Sequence, residues 1–515
     1  VLRNSSDFAE IAEGYNEDLG NSRRIYEIRW TERELSSAQY FGEHVFPEIS
    51  NLKFDWQFTD SQAMFDEPDN RIYRYDRREE GDFIFSTRND SNSRVWRELE
   101  DLSRNIRYDL TLPFTIKDNH DIALKFGHNW VYKDRNSDIR RFVFEDVGSL
   151  VNQIDRGLDL ESILSPEYIA PNGYQLQEVT RATDNYFANL DTKAKYLGVD
   201  YSYKELLNIS LGMRHENVNQ SVTTFKLFDP DQSPVTASLE DKSYYPAFSS
   251  ALFLPADNQL RLNYSETATR PDFKELSPAQ FKDPVLDRNV IGNPDLLAGS
   301  IKHYDLRWDK YFSESEFVSV SLFYKQFFNP IEMIILPGSS RIISFDNAES
   351  AENYGVELEV YKTLSFMNRF SEHDFWSDIY ISGNYAYIES EIVLGTDRPG
   401  GQTNNSRPLQ GQSPYVGNLQ LGYDNLDKDL SVSLLYNIFG ERISEAGTSG
   451  RPDIYEQPFN QLDLVISKKL FDRFKFKIKA TNLLDDEVIF LQGDEVTRKF
   501  TKGRTFSISI DYDIF

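Results

Sequence analysis

The chain contains no cysteine in its 515 residues, which excludes disulfide staples and thiolate metal sites. It has no run approaching the roughly 18 apolar residues of a transmembrane helix. It has no excess of basic charge: 83 Asp and Glu stand against 56 Lys and Arg, for a net charge of −27. A general nucleic-acid binder needs a basic footprint, so that class is excluded. The acidic balance gives either a field that draws in cations or simply solvated loops and a wet interior.

Catalytic signatures are missing too. No glycine-rich phosphate loop, HExxH or GxSxG is present. Six histidines (His44, His120, His128, His215, His303 and His373) are scattered singly, without metal-ligand spacing. Glu357 and Glu359 fall two apart on one strand face, a pairing that 83 acidic residues produce by chance. The run Asp229-Pro-Asp-Gln-Ser233 lacks the later ligands and the glycine of a calcium loop. The expectation is a protein without enzymatic activity, metal site or cofactor.

What the chain does have is alternation. Leu52, Phe54, Trp56 and Phe58 alternate with Lys53, Asp55, Gln57 and Thr59. Tyr354, Val356, Leu358 and Val360 alternate with Gly355, Glu357 and Glu359. Phe506, Ile508, Ile510, Tyr512 and Ile514 alternate with Ser507, Ser509, Asp511 and Asp513. A strand built this way is apolar on one face and polar on the other. Only 39% of residues are hydrophobic and the mean hydropathy is −0.55. Such values describe a soluble protein, but in a membrane barrel half of every strand is polar and hides the signal. Aromatics reach 14%, enough for girdles at two membrane interfaces. The fold class expected is all-β, a transmembrane antiparallel barrel with lipid outside and water inside.

Short turns alternate with long excursions. Tight turns are expected near Pro47–Asn51, Lys117–Asp121, Lys204–Leu207, Pro255–Gln259, Ser313–Glu316, Asn368–Asp374, Asp424–Asp429 and Phe471–Arg473. Longer polar stretches cover roughly 66–92, 145–181, 229–240, 271–299, 396–408 and 446–456. This is the asymmetry of an outer-membrane barrel, short-turned on the periplasmic side and long-looped outside. Eight tight turns with the two end segments give about eighteen strands.

Near the end of the chain Phe474, Phe476 and Ile478 face one way and Lys475, Lys477 and Lys479 the other. Each lysine would cost ~2–4 kcal/mol at mid-bilayer, so the lysines must point inward if the strand spans. Leu430, Val432, Leu434, Tyr436 and Ile438 likewise point outward, while Leu435 interrupts the polar face of the same strand. Two loops carry further order. Val147, Leu150, Val151 and Ile154 lie at helical spacing, followed by Leu158 and Leu160, which fits either a loop with its own small core or a substrate lid. The stretch 271–299, with Pro271, Pro278, Pro284, Asn289, Asn293 and Pro294, should be turn-rich and not helical.

Several segments together resemble one family. Ser265-Glu-Thr-Ala-Thr-Arg-Pro-Asp-Phe273, Gly292-Asn-Pro-Asp-Leu296 and Tyr304-Asp-Leu-Arg-Trp308 are similar to the barrel of TonB-dependent outer-membrane receptors. So are Ala348 to Glu359, Arg407-Pro-Leu-Gln-Gly-Gln-Ser-Pro-Tyr415, Ala480-Thr-Asn-Leu-Leu-Asp485, and the final strand from Gly503-Arg-Thr-Phe506 to Phe515. Glu13-Gly-Tyr-Asn-Glu-Asp18, Glu43-His44 and Asp66-Glu-Pro-Asp-Asn70 look like the first half of such a barrel. In one respect the chain departs from outer-membrane habit: Phe515 is one residue out of phase with Ile514, Tyr512 and Ile510.

The resemblance implies a barrel of about 22 strands with a plugged lumen. Nothing in residues 1–515 resembles the plug or the TonB-binding segment before it, and no export leader opens the sequence at Val1. The expectation is that residues 1–515 are the barrel domain of a longer receptor whose plug and first strands lie upstream. Two unpaired strand edges in lipid would otherwise be untenable.

The function implied is active import across the outer membrane of a Gram-negative bacterium. A scarce chelate, glycan or peptide would be carried, energised by TonB through the missing plug. A passive porin and a non-transport envelope scaffold are the rival readings. Expected partners are outer-membrane lipid and lipopolysaccharide, TonB, and a surface lipoprotein or other envelope protein, with no nucleic acid. Candidate ligand contacts are the loop aromatics Phe65, Tyr174, Phe281 and Tyr455, which can stack on a sugar, peptide or chelate or else serve the upper girdle and loop cores. Arg270, Arg407 and Gln410 match positions in the family's wall and loops, where hydrogen bonds to loops or plug come before substrate contact.

Overall fold

The computed structural model describes the chain apart from residues 17–19, 78–80, 89–90, 118, 226–230, 232, 279, 284–287, 337–341, 371–373, 396–400, 472 and 513–515. Most of the Asp229–Ser233 run, His373, Ile514 and Phe515 therefore lie outside the described residues.

Alternation becomes wall. The strands are β1 (Leu2–Asn16), β2 (Asn21–Phe46), β3 (Leu52–Arg77), β4 (Ser93–Ile116), β5 (His120–Asp146) and β6 (Tyr186–Tyr203). Next come β7 (Leu207–Phe225), β8 (Pro234–Leu254), β9 (Asn258–Thr269), β10 (Gly299–Tyr311), β11 (Phe317–Phe328) and β12 (Ser350–Thr363). The last are β13 (Ile379–Val393), β14 (Tyr415–Asn425), β15 (Leu430–Phe439), β16 (Phe459–Leu470), β17 (Phe474–Thr481) and β18 (Thr505–Tyr512). Each pairs antiparallel with the next along the chain, a continuous meander. Among the described residues β1 and β18 are not paired with each other, so this sheet has two edges.

Directly paired residues share a face, so register shows which residues form each surface. Leu262, Leu306, Leu322 and Val356 make one such row across β9–β12, and Leu260, Trp308, Val320 and Leu358 make another. Leu306, Trp308, Leu322, Val356 and Leu358 are all exposed, with no second sheet over them. Contiguous rows of exposed apolar side chains that no other element covers among the described residues are what a strand facing lipid presents. The opposite face is ionic. Arg307 donates to Asp309 at 2.7 Å and to Glu359 at 2.8 Å, and Ser319 donates to Glu359 at 3.1 Å. Glu359 of the acidic pair is thus an ion-pair partner inside the wall. In β17, Lys475, Lys477 and Lys479 pair across from Asp511, Ser509 and Ser507, while Phe476 and Ile478 pair with Ile510 and Ile508. Leu435 lies between Gln420 and Asp463 on the inner face.

Two glycines serve the inner face. Gly127 lies opposite Tyr196 and Gly355 opposite Phe323, and each aromatic ring lies across its glycine where a Cβ would overlap it.

Seven of the eight expected turns connect neighbouring strands directly. The exception is at Asn368–Asp374, where the connection is longer and contains two 3-10 turns, Ser365–Phe370 and Asp374–Asp378. The upper loops also differ from expectation. β3 runs to Arg77, so residues 66–77 are strand, carried past a bulge between Glu67 and Asn70 with Asp69 at φ 65°. The stretch 271–299 does contain a helix, Phe273–Leu276. Asp272 caps it, accepting from Lys274 N at 3.0 Å, while Glu275 accepts from Asp272 N at 2.8 Å. Local capping chemistry overrides the proline-rich composition there.

Two loop-borne cores result, on opposite faces. Val151, Ile154, Ile163 and Tyr174 pack with Tyr73, Tyr75 and Phe85. Tyr73 and Tyr75 share their face with Tyr26 and Ile28, the continuation of the lipid side above the bulge. Phe273, Leu276 and Leu296 pack instead on Tyr186, Ala188, Val222, Ala237 and Leu239, which point inward from β6–β8.

Candidate site at the extracellular mouth

At the end of the wall away from the short turns, two small sheets stand on the loops. One joins Gln280–Asp283, Arg288–Ile291, Ile343–Asn347 and Ile331–Ile335. The other joins Arg442–Glu445, Ile454–Glu456, Glu487–Gln492 and Glu495–Thr501.

The segment 402–411 straps them together. Arg407 donates to Glu332 at 2.8 Å in the first sheet, both side chains being buried. Gln410 donates to the Met333 carbonyl at 3.1 Å. Gly411 N reaches the Ile443 carbonyl in the second sheet at 2.8 Å, and Asn404 reaches Asp453 at 2.9 Å. Burial pushes the Glu332 carboxyl above the usual range, against the pull of Arg407. Burial, followed by the nearby Asp453, likewise raises the Tyr455 phenol.

Three expected residues thus meet at one place: Arg407, Gln410 and Tyr455, the last on the strand paired with Ile443. The others are dispersed. Arg270, at the root of the inward loop, donates to Asp241 at 2.7 Å, Glu216 at 2.8 Å and Tyr245 at 3.0 Å. Phe65 lies within β3, not in a loop; it pairs with Leu99 on the inner face, with Arg33 5.7 Å from its ring. Tyr174 is 1% exposed, edge-on to Phe85 at 5.6 Å. The backbone of Phe281 is in the first small sheet, and its side chain lies outside the described residues.

The sequence reading missed Glu332, Met333, Ile443 and Asn404. The one available signal was an acidic residue in an otherwise apolar run, Ile331-Glu-Met-Ile-Ile335, since a buried carboxylate needs a cation. Among the described residues no group of histidine, cysteine or carboxylate side chains could hold a metal ion. A cavity of about 450 Å³, lined by Phe41, Glu43, Asp55, Gln57, Arg107 and Asp109, opens on the wall and includes none of the candidates. The described residues of the mouth can therefore hydrogen-bond, pair charge and stack.

The sequence profile described as "TonB dependent receptor-like, beta-barrel" matches residues 8–483. The chain belongs to the TonB-dependent receptor family. Members are outer-membrane transporters, not enzymes. The fold of this TonB-dependent receptor barrel is shared with solved structures. The siderophore receptor PiuA from Acinetobacter baumannii is 10% identical with a TM-score of 0.58, over 99% of this chain and 77% of that one. The ferric-catecholate import receptor Fiu from K12 E. coli is 12% identical with a TM-score of 0.56, over 99% and 77%. The copper transporter OprC is 12% identical with a TM-score of 0.55, over 99% and 76%. At such identities the likeness is one of fold. No curated protein sequence matches the chain.

Proposed function

We propose that this chain forms the wall and extracellular loops of an importer in the outer membrane of a Gram-negative bacterium. Its cargo is a scarce ligand (a chelate, a glycan or a peptide), and TonB energises it through a plug supplied by the rest of the receptor. The two sheet edges support the reading that further strands complete the barrel, because exposed backbone in lipid has no hydrogen-bond partners. The observation that carries the proposal is the strap 402–411, which fixes two small sheets over the mouth of an ionic lumen.

In this reading Gln410, Tyr455 and the inward Phe65 meet the ligand. Arg407 and Arg270 hold the surfaces that do so, and Phe281 belongs to the same rim. Tyr174 acts only through its core. The named cargoes of the structural relatives, siderophores, a ferric catecholate and copper, favour a metal chelate among the three classes.

The test is uptake by cells carrying the complete receptor, offered labelled chelates, oligosaccharides and peptides. The expected result is uptake of one class that stops when TonB is deleted and drops when Tyr455→Ala and Gln410→Ala are combined. Uptake of many small solutes without TonB would overturn the proposal in favour of a porin.

A further inference from the structure

The inward loop docks at one tier of the lumen face, and the same tier continues round the wall beyond it. Register places Leu35, Ala63, Asp101, Arg135, Ala188 and Val222 in one inward row, with Arg33, Phe65, Leu99, Ser137 and Tyr186 in the row above. Over β6–β8 this tier is covered by Phe273, Leu276 and Leu296 of the loop. Over β2–β4 it faces the bore: Leu35 is 42% exposed, Arg33 is exposed, and Phe65 and Leu99 are half-buried. Arg135 stands between the two parts, donating to Asp101 at 2.9 Å and lying 5.0 Å from the Phe273 ring.

Arg33 differs from the inward arginines around it. Arg29, Arg97, Arg107, Arg135 and Arg141, on β2, β4 and β5, each have a carboxylate oxygen within 3.8 Å. Among the described residues Arg33 has no carboxylate partner, and its guanidinium lies 5.7 Å from the Phe65 ring. The carboxylates that flank it in the register are already taken, Glu67 by Arg97 and Asp101 by Arg135. A cation without its anion therefore borders an apolar surface turned toward water.

That pairing selects a solute. A flat ring gains by stacking on Phe65 and covering the leucines, and a negative charge on the ring gains charge-assisted bonds from the guanidinium. Counted from the turn at Pro47–Asn51, Arg33 and Phe65 lie beyond the ~10 residues with which a tilted strand crosses hydrocarbon. A loop of the chain itself reaches this tier from the mouth, which favours cargo over the plug as the occupant.

We propose that Arg33, Leu35, Phe65 and Leu99 form a subsite for a metal chelate whose arms are flat aromatic anions, with a ring laid on Phe65 and the two leucines and its anionic oxygens on the Arg33 guanidinium. This deepens the import reading and rests on it.

The experiment titrates the complete purified receptor by calorimetry with three ferric complexes: that of 2,3-dihydroxybenzoate, that of citrate, and a neutral trihydroxamate. The dihydroxybenzoate complex should bind most tightly. Arg33→Gln and Phe65→Ala should each weaken it about tenfold or more, and Phe65→Tyr should retain it. Arg104→Gln, on the outward face of β4, should leave it unchanged. Absence of dihydroxybenzoate binding, or binding undiminished by Arg33→Gln and Phe65→Ala, would overturn the proposal. So would citrate binding of equal strength with the same need for Arg33, which would make this a general anion site. Variants that bind the chelate normally but loosen the plug in limited proteolysis would make the plug the occupant and overturn it too. Uptake by cells separates the two readings. TonB-dependent uptake unchanged by Arg33→Gln and Phe65→Ala would sink the subsite and leave import standing, whereas uptake without TonB would sink import and leave the calorimetry intact.

Discussion

The two loops that build their own cores dock on opposite faces of one wall. The loop spanning 147–173 packs outward on Tyr73 and Tyr75, and the loop spanning 270–298 packs inward on Tyr186, Val222 and Leu239. Above the hydrocarbon band both faces of a barrel strand meet water, so neither face is apolar by default. An apolar cluster on either one marks where a loop comes down. The outward loop leaves the lumen alone and thickens the outside of the long strands β2–β5. The inward loop occupies the lumen side of β6–β8, and Gln220 donates to the Pro271 carbonyl at 2.8 Å to hold it. Loops of similar composition thus have different consequences for passage.

The largest effects should come from the buried anchors. Phe85→Ala, against which the outward loop packs, and Phe273→Ala, within the inward loop, each remove a buried ring (0% and 5% exposed) and should destabilise the loop concerned by about 3–5 kcal/mol. Hydrogen exchange should show each loop opening alone, because the sites are separate. If the comparison holds, only Phe273→Ala alters uptake through the receptor. Next is the strap. Arg407→Ala leaves Glu332 buried without its cation and should cost about 3–5 kcal/mol locally, while Arg407→Met with Glu332→Leu should restore protection of Ile331–Ile335. Arg270→Ala should cost less, about 1–3 kcal/mol, because its carboxylate partners keep 12–13% exposure, against 8% for Glu332, and water can reach them. Proteolysis within 270–298 should report it.

The smallest effect is in pH, and its sign differs between the two loops. Asp159 caps Leu160–Ile163 in the outward loop, and hydrogen bonds from Ser162 hold its carboxyl below the usual aspartate range. Its contribution is present above the unfolded value and lost as pH falls through the lowered folded one. Glu275 in the inward loop is raised by burial. Its contribution is present at low pH and lost as pH rises through the raised value. Through these two groups acidification should loosen the helix Leu160–Ile163 of the outward loop and tighten the helix Phe273–Leu276 of the inward one, as read by amide exchange of those helices between pH 3 and 6. Asp159→Asn should abolish the first trend alone.

Much of the wall was legible in the sequence, because a two-residue period with charge on one face has few other homes. The lysines of β17 settle the facing of that strand without coordinates. Even the bulge had a trace: outward aromatics are even-numbered at Phe54, Trp56 and Phe58 and odd-numbered at Tyr73 and Tyr75. The mouth was less legible. Arg407 and Gln410 could be picked out by family likeness, but their partners Glu332 and Met333 lie more than seventy residues away. No local pattern encodes such a pairing. Phe65 was misjudged as a loop aromatic because a strand continuing past the membrane looks polar in sequence, while Tyr174 lies in a loop core, one of the two alternatives its position left open.

The central claim is a wall with lipid on one face and water on the other. Residues 1–515 contain no cysteine that would compete with an introduced one for the label. The most direct measurement is spin-label accessibility on the receptor in bilayers at alternating positions of β10 and β12, from Asp305 to Trp308 and from Val356 to Glu359. Labels at 306, 308, 356 and 358 should collide with oxygen dissolved in lipid, while labels at 305, 307, 357 and 359 should collide with a water-soluble nickel chelate. Uniform access to the aqueous relaxer at every position would contradict the claim.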